Sequence, residues 1–153
     1  MRKGYTLRNL VLYAFSHSTE DLNKVRQAII NLLPLDLRQA TVSEERVVEG
    51  HYGNPITLIT LRMRDRDADA TVFKHIVCSL TTADRSILMA TLPRRVGAKN
   101  SAIYLRLSKQ EALLGRVMLM DGDDVIKVTA TVVGVKDMRD QVEYMRGLIE
   151  GCK

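Results

Sequence analysis

Segments with the residue spacing of strands alternate along this chain with segments of helical spacing, and this alternation restricts the fold most. From Ala102 to Leu107 apolar and polar residues alternate, as in a half-buried strand. From Leu22 to Leu32 the apolar residues recur every three or four positions until Pro34, as in an amphipathic helix. The chain is therefore predicted to mix both kinds of element.

The order of these elements predicts the fold class. The predicted strands cover about residues 7–17, 37–49, 56–64, 102–107, 116–120 and 125–133. The predicted helices cover about residues 20–33, 65–80, 82–92, 109–114 and 137–149. This order is typical of an α+β fold, with an antiparallel-dominated mixed sheet and helices packed on one face.

Local signals mark several element boundaries. Ser18 or Thr19 is the expected cap of the first helix, and Thr81 starts a new helix within a long helical stretch. Ser108 and Glu111 have the spacing of a capping box. The run Asp121-Gly122-Asp123-Asp124 predicts a hairpin between the last two strands.

The size and composition of the chain indicate one globular domain over residues 1–153. The chain has a mass of 17.2 kDa, with 46% hydrophobic and 27% charged residues. Two cysteines, Cys78 and Cys152, are too few and too badly placed for the disulfide framework of a secreted protein. No apolar run approaches the roughly 20 residues that span a bilayer. We therefore expect a cytoplasmic protein that does not associate with membranes.

The positive charge of the chain is concentrated in its middle third. Ten Lys or Arg and four Asp lie between Leu61 and Gln110, a local charge of +6, whereas the whole chain carries +5. Folding does not require such an asymmetry, so it indicates a partner that carries negative charge. The pI of about 9.4 favours RNA, DNA or another polyanion.

No catalytic motif accompanies this charge. The sequence contains no Gly-rich phosphate loop, no G-x-S-x-G and no H-E-x-x-H. His75 and Cys78 are three residues apart on a predicted helix, but further metal ligands are lacking, and a core pair is the better interpretation. The acidic run at 65–69 lacks the Gly that a calcium loop requires at its sixth position, and it leads into a helix whose start the acidic charges favour. The run at 121–124 is better explained as a polar hairpin tip. We expect no enzyme activity, no cofactor and no metal.

Basic and hydrogen-bonding side chains form the candidate site. Tyr104 and Arg106 share the polar side of their strand, where a ring beside a guanidinium can contact RNA. Tyr104 serves equally well as a half-buried sheet residue, and His51 lies in a loop (residues 50–55) that is also explained as a tight turn. The candidate RNA-binding residues are Arg62, Arg64, Lys74, Arg94, Arg95, Lys99, Tyr104, Arg106, Lys109 and His51.

Several of these segments resemble one known family. They are Glu49 to Ile56, Tyr104 to Ala112, Gly115, and Asp121 to Val128, within a match over about residues 10–133. The family consists of small archaeal proteins described as predicted RNA-binding proteins, sometimes as predicted exosome-associated subunits. Its fold is similar to that of the large-subunit ribosomal protein that binds 5S RNA. The resemblance implies RNA binding without catalysis, and it carries over no binding residues.

Three functions were weighed on these observations. The first is non-catalytic binding of structured RNA through a basic surface, in RNA processing or ribosome-linked assembly. Structured RNA is favoured over unpaired bases because aromatic residues make up only 5% of the chain. The second is a protein–protein subunit or dimeric adaptor whose basic face meets an acidic partner. The third, a hydrolase or nuclease, lacks a recognisable nucleophile or metal set.

Overall fold

Five antiparallel strands form a single sheet in this computed structural model, which describes residues 4–50, 52–96 and 101–152. The strands are β1 (Thr6–Ser16), β2 (Thr41–Glu49), β3 (Pro55–Met63), β4 (Ala102–Leu107) and β5 (Ile126–Val133). Their order across the sheet is β2-β3-β1-β5-β4. Every neighbouring pair is antiparallel, so the sheet is antiparallel throughout rather than mixed.

The helices cover one face of this sheet. They are α1 (Leu22–Ile30), α2 (Asp69–Ser79), α3 (Thr82–Ala90), α4 (Lys109–Leu113) and α5 (Met138–Glu150). Leu12 and Ala14 on β1 are buried in one hydrophobic cluster with Val72 and Ile76 of α2. The alternate residues of β1, such as Tyr13, lie on the opposite side and are only partly buried. The predicted α+β class with helices on one face is confirmed.

Side-chain caps place most helix starts as predicted. The Thr81 hydroxyl accepts a hydrogen bond from the Asp84 amide at 3.1 Å, and the Ser108 hydroxyl accepts one from the Glu111 amide at 3.1 Å. The first helix differs, because Asp21 caps it by accepting from the Asn23 amide at 2.9 Å. The expected caps Ser18 and Thr19 were therefore wrong, since the helix begins later.

The predicted hairpin around residues 121–124 is not formed. Residues 116–120 are not a strand and make one isolated bridge, between Leu119 and Leu107 of β4. β5 pairs with β1 and β4 instead of with this segment. Val117 and Leu119 of this segment pack against the core, while Met118 and Met120 are exposed. The strand expected from Leu37 also begins later, at Thr41, after a 3-10 turn at Leu35–Leu37.

A bulge in β1 is joined to the start of α2. The register with β5 shifts between Arg8 and Val11, and Asn9 has a φ of 58°. The buried Leu10 amide donates to Asp69 Oδ2 at 3.2 Å, and Arg66 Nη2 lies 3.2 Å from the same oxygen. Burial raises the pKa of Asp69, although the Leu10 amide and the nearby Arg66 and Arg8 charges act in the opposite direction.

The two cysteines form a disulfide, which the sequence did not predict. Cys78 near the end of α2 is bonded to Cys152 just after α5, with 5.3 Å between their Cα atoms. The bond also removes the Cys78 thiol as a metal ligand beside His75. Within the described ranges, no helix has both the length and the apolar composition needed to cross a membrane.

Candidate nucleic-acid interface

The side of the sheet away from the helices is its open face. It carries the alternate strand residues whose neighbours fill the core, so its composition follows from strand periodicity. We define the open face by Tyr13 and Phe15 of β1, Glu44 and Arg46 of β2, Leu58, Thr60 and Arg62 of β3, Tyr104 and Arg106 of β4, and Lys127 and Thr129 of β5.

One row of the open face combines aromatic and basic side chains. The strand registers align five residues across the sheet, in the order Glu44, Thr60, Tyr13, Lys127, Arg106. The Lys127 ammonium lies 5.9 Å from the centre of the Tyr13 ring, within cation–π distance. Strands are about 4.8 Å apart, so Tyr13 and Arg106 are separated by roughly 10 Å. Two cations and an aromatic ring therefore share a short stretch of uncovered sheet.

The adjacent positions extend this row. Tyr104 lies opposite Thr129 and is 39% exposed, on the same side as Arg106 as the alternation predicted. Arg62 is exposed on β3, and its Nη1 is 3.5 Å from Glu44 Oε1. Arg64 follows the end of β3, where its Nη2 donates to the Thr41 carbonyl at 3.4 Å.

Three arginines meet beside β4, and we name them the β4 cluster: Arg94, Arg95 and Arg106. The Tyr104 amide donates to the Arg95 carbonyl at 2.6 Å, which holds the segment after α3 against the strand. Burial lowers the pKa of Arg95, the charges of Arg94 and Arg106 lower it further, and Asp121 and Asp84 act in the opposite direction. The charges of Arg94 and Arg106 both act on Arg95, so each of them lies near it.

Lys109 was predicted to contact RNA, but its side chain is not on the basic surface. It is buried, and its ammonium donates to the Phe15 carbonyl at 2.8 Å and to both Glu20 carboxylate oxygens at 3.0 Å. Asp124 Oδ1 lies 2.6 Å from the same nitrogen. An ammonium enclosed in this way has no hydrogen left for a phosphate, since it has only three to donate.

The same cluster contains potential metal ligands. Across the described parts of the chain, His17, Glu20 and Asp124 are the group whose ligand atoms come within 4.8 Å of one another. The Lys109 ammonium already contacts both carboxylates of this group. A cation of the protein itself thus compensates these charges, and the arrangement is better explained as an ion-pair network than as a metal site.

Of the remaining predicted residues, Lys74 does not join the open face. Lys74 is exposed on α2, in the helical layer. His51 and Lys99 lie outside the described residues. The turn next to position 51 is closed by hydrogen bonds from the Gly53 amide to the Gly50 carbonyl at 3.0 Å and from the Gly50 amide to the Asn54 carbonyl at 2.7 Å. Gly53 has a φ of +80°, which a glycine adopts without strain.

Among the aromatic and basic members of the open face, sequence reasoning missed Tyr13, Phe15, Arg46 and Lys127. A strand was predicted over residues 7–17, in which Leu12 and Ala14 alternate with Tyr13 and Phe15. That alternation indicates a strand with one side in the core and the other side uncovered, so it could have identified Tyr13 and Phe15. Lys127 had no signal of its own, because its position beside Tyr13 depends on the pairing of β1 with β5.

Known proteins resemble this chain over most of its length. An uncharacterized protein of Methanocaldococcus jannaschii, MJ0213, is 31% identical over 122 residues, which are 79% of this chain and 81% of that protein. The RNA-binding protein PAB1135 of Pyrococcus abyssi is 29% identical over 145 residues, 94% of each chain. A crystal structure of protein AF2318 from Archaeoglobus fulgidus has a TM-score of 0.78 and 28% identity, covering 94% of this chain and 99% of the other.

A family model described as RNA binding matches residues 9–132, a range that spans all five strands except the first residues of β1 and the last residue of β5. The match includes β4 and all the residues that define the open face. The three relatives named above come from archaea. This chain belongs to that RNA-binding family.

Proposed function

We propose that this protein binds structured RNA, without catalysing a reaction on it, through the open face and the β4 cluster. Arg62, Arg94, Arg95, Arg106 and Lys127 contact phosphates, and Tyr104 contacts an exposed base or ribose. A role in RNA processing or in ribosome-linked assembly is suggested by the resemblance to the archaeal family named above, which is sometimes described as predicted exosome-associated subunits.

The observation that carries this proposal is the row that runs from Tyr13 through Lys127 to Arg106. It lies on a sheet face that the helices leave open, and the β4 cluster continues its positive charge at one margin.

The rings on this face favour structured RNA over unpaired bases. The Tyr13 ring is partly buried, and the Lys127 ammonium lies over it. Of the two tyrosines on the open face, Tyr104 is therefore the more exposed. A platform for single strands stacks successive bases on several exposed rings. Charge and hydroxyl contacts to a folded backbone need no such platform.

The test compares two pairs of substitutions that remove the same charge. Arg94→Ala with Arg106→Ala takes two cations from the β4 cluster, and Lys74→Ala with Arg146→Ala takes two exposed cations from the helical layer. We expect the first pair to weaken binding of a hairpin RNA several-fold. The salt dependence of log K should become shallower by roughly 0.7–0.9 for each lost phosphate contact. The control pair should have little effect.

Fluorescence anisotropy with a labelled hairpin, an unstructured strand of the same length and a DNA duplex gives the measurement. The hairpin RNA should bind most tightly, and it should remain intact with and without Mg²⁺. Equal affinity losses and equal salt slopes for the two pairs would contradict the proposed surface. Cleavage of the hairpin would contradict the absence of catalysis.

A further inference from the structure

The two edges of the sheet are treated differently by the rest of the chain. The β4 edge is covered, because the Tyr104 amide donates to the Arg95 carbonyl at 2.6 Å and the Met120 amide donates to the Arg106 carbonyl at 3.0 Å. The β2 edge has no such cover: within ranges 4–50, 52–96 and 101–152, β2 pairs with β3 alone. The Arg64 side chain donates to the carbonyl of Thr41, the first residue of β2. None of the described segments runs along the outer side of β2.

β2 lacks several of the features that protect an exposed edge, and its protection consists of four charged residues: Glu44, Glu45, Arg46 and Glu49. It runs for nine residues, and all nine are paired with β3 without a register shift. It contains no proline, glycine or lysine. Val42 is 49% exposed and Val47 is 68% exposed. Natural edge strands of this length are commonly interrupted by a bulge, proline or lysine, or covered by another segment.

The charges on β2 are complementary to themselves in one antiparallel register. When two copies of β2 are aligned with Glu45 at the centre, Glu44 of each copy lies opposite Arg46 of the other. The same register places Val42 opposite Val48. We propose that β2 pairs antiparallel with β2 of a second copy of this chain, centred on Glu45.

Neighbouring registers are less favourable. Centring the pair on Glu44 opposes two Glu44 side chains, which Arg62 compensates only at 3.5 Å, and centring it on Arg46 opposes two arginines. In the proposed register the two Glu45 side chains are opposed on the helix-covered side. Each Glu45 is neutralised by its own Arg26, whose Nη2 donates to Glu45 Oε1 at 2.7 Å. The two Glu45 carboxylates are therefore already paired with arginines of their own copies before the two copies associate.

A pair centred on a residue keeps the open faces of both copies on the same side. The two five-stranded sheets then form one continuous sheet, with Arg46 of each copy close to the two-fold axis and Arg62 on the next strand. The pairing needs no RNA, so it is tested independently of the proposed function.

The experiment measures the mass of the RNA-free protein by sedimentation and by light scattering over a range of concentrations. We expect the parent chain to form a dimer of twice 17.2 kDa. Arg46→Glu places Glu opposite Glu44, and Glu44→Arg places Arg opposite Arg46, so each variant alone should dissociate at concentrations at least about tenfold higher than the parent.

Mixing the two variants is the decisive step. An equimolar mixture of Arg46→Glu and Glu44→Arg brings opposite charges together at both positions, so a heterodimer should form although neither variant pairs with itself. Arg139→Glu, an exposed site on α5, makes the same charge change away from β2 and should remain dimeric. Circular dichroism confirms that each variant is folded.

Two results would overturn the proposal. One is a parent chain that stays monomeric up to about millimolar concentration, a result that does not depend on any variant. The other is a parent dimer that neither β2 substitution weakens relative to Arg139→Glu, because pairing would then use another surface.

Discussion

Lys109 shows how the neighbours of a single residue decide its role. In the sequence it lies three residues after Arg106 and was predicted to contact RNA with it. In the fold its ammonium is turned inward, where it joins Glu20 and Asp124 to the end of β1 through the Phe15 carbonyl. Its charge stabilises three separate segments of the chain, and it does not contribute to the basic surface.

This placement predicts that Lys109→Met affects folding and leaves RNA binding unchanged. Loss of the ammonium leaves the Phe15 carbonyl and two carboxylates without their partner, and Asp124 is exposed enough for water to replace part of the loss. We expect the free energy of unfolding to fall by about 1–3 kcal/mol, measured by urea denaturation.

Lys74→Met makes the same chemical change at an exposed site and should be nearly neutral. The salt dependence of RNA binding, measured where both variants are folded, should match that of the parent protein. A shallower slope for Lys109→Met would show that its ammonium contacts phosphate after all.

Among the elements, β1 and α2 depend on one buried contact. The bulge at Asn9 turns the Leu10 amide away from the ladder, and Asp69 Oδ2 accepts its hydrogen at 3.2 Å. Because Leu10 is fully buried, water cannot replace this acceptor. The bulge and the first residue of α2 therefore stabilise each other.

Substitution Asp69→Ala removes that acceptor. We expect it to lower the free energy of unfolding by about 1–3 kcal/mol, the usual cost of an unsatisfied buried donor. Urea denaturation measures the change, and hydrogen exchange at the Leu10 amide reports it locally. Asp67→Ala, an exposed carboxylate two residues earlier, is the control. Slow exchange at Leu10 in both variants would contradict the stated role of Asp69.

The elements that local residue patterns specify were predicted well. The division between α2 and α3 at Thr81 and the start of α4 at Ser108 follow from caps that act within three residues. The segment 116–120 was mispredicted because the turn residues 121–124 indicated a hairpin, whereas the segment lies along the β4 edge, with Leu119 against the core and Met118 exposed. Whether a segment joins a ladder depends on distant partners.

Across the whole molecule, the disulfide connects the helical layer to the end of the chain. Cys78 and Cys152 are 74 residues apart, and the loop between them includes β4, β5 and α5. The sequence did not predict this bond, because two cysteines so distant in the chain show no pairing signal. Their proximity follows from the packing of α5 beside α2.

Removal of this cross-link by Cys78→Ser with Cys152→Ser should destabilise the protein. Closure of a loop of this length is worth about 4 kcal/mol in the chain-entropy model, which sets an upper value. Thermal unfolding measures the loss, and a reductant should lower the transition of the parent protein but not that of the double variant. RNA affinity should be unaffected, because the bond lies in the helical layer.

The candidate site could be predicted only in part for a similar reason. Strand alternation correctly placed Tyr104 and Arg106 on one side, which is a local property. The approach of Arg94 and Arg95 to Arg106, and of Lys127 to Tyr13, depends on the order of strands in the sheet. The local net charge of the sequence identified the basic region. Only the fold showed that Arg106 is at the surface and that Lys109 is buried.

The unequal edges of the sheet also limit how far the molecule can polymerise. A strand that pairs with its own copy uses the same edge on both partners, and the opposite edge at β4 is already occupied by residues 95–96 and 118–120. Growth would therefore stop at two copies, and neither a filament nor an amyloid-like stack could be extended from the finished pair.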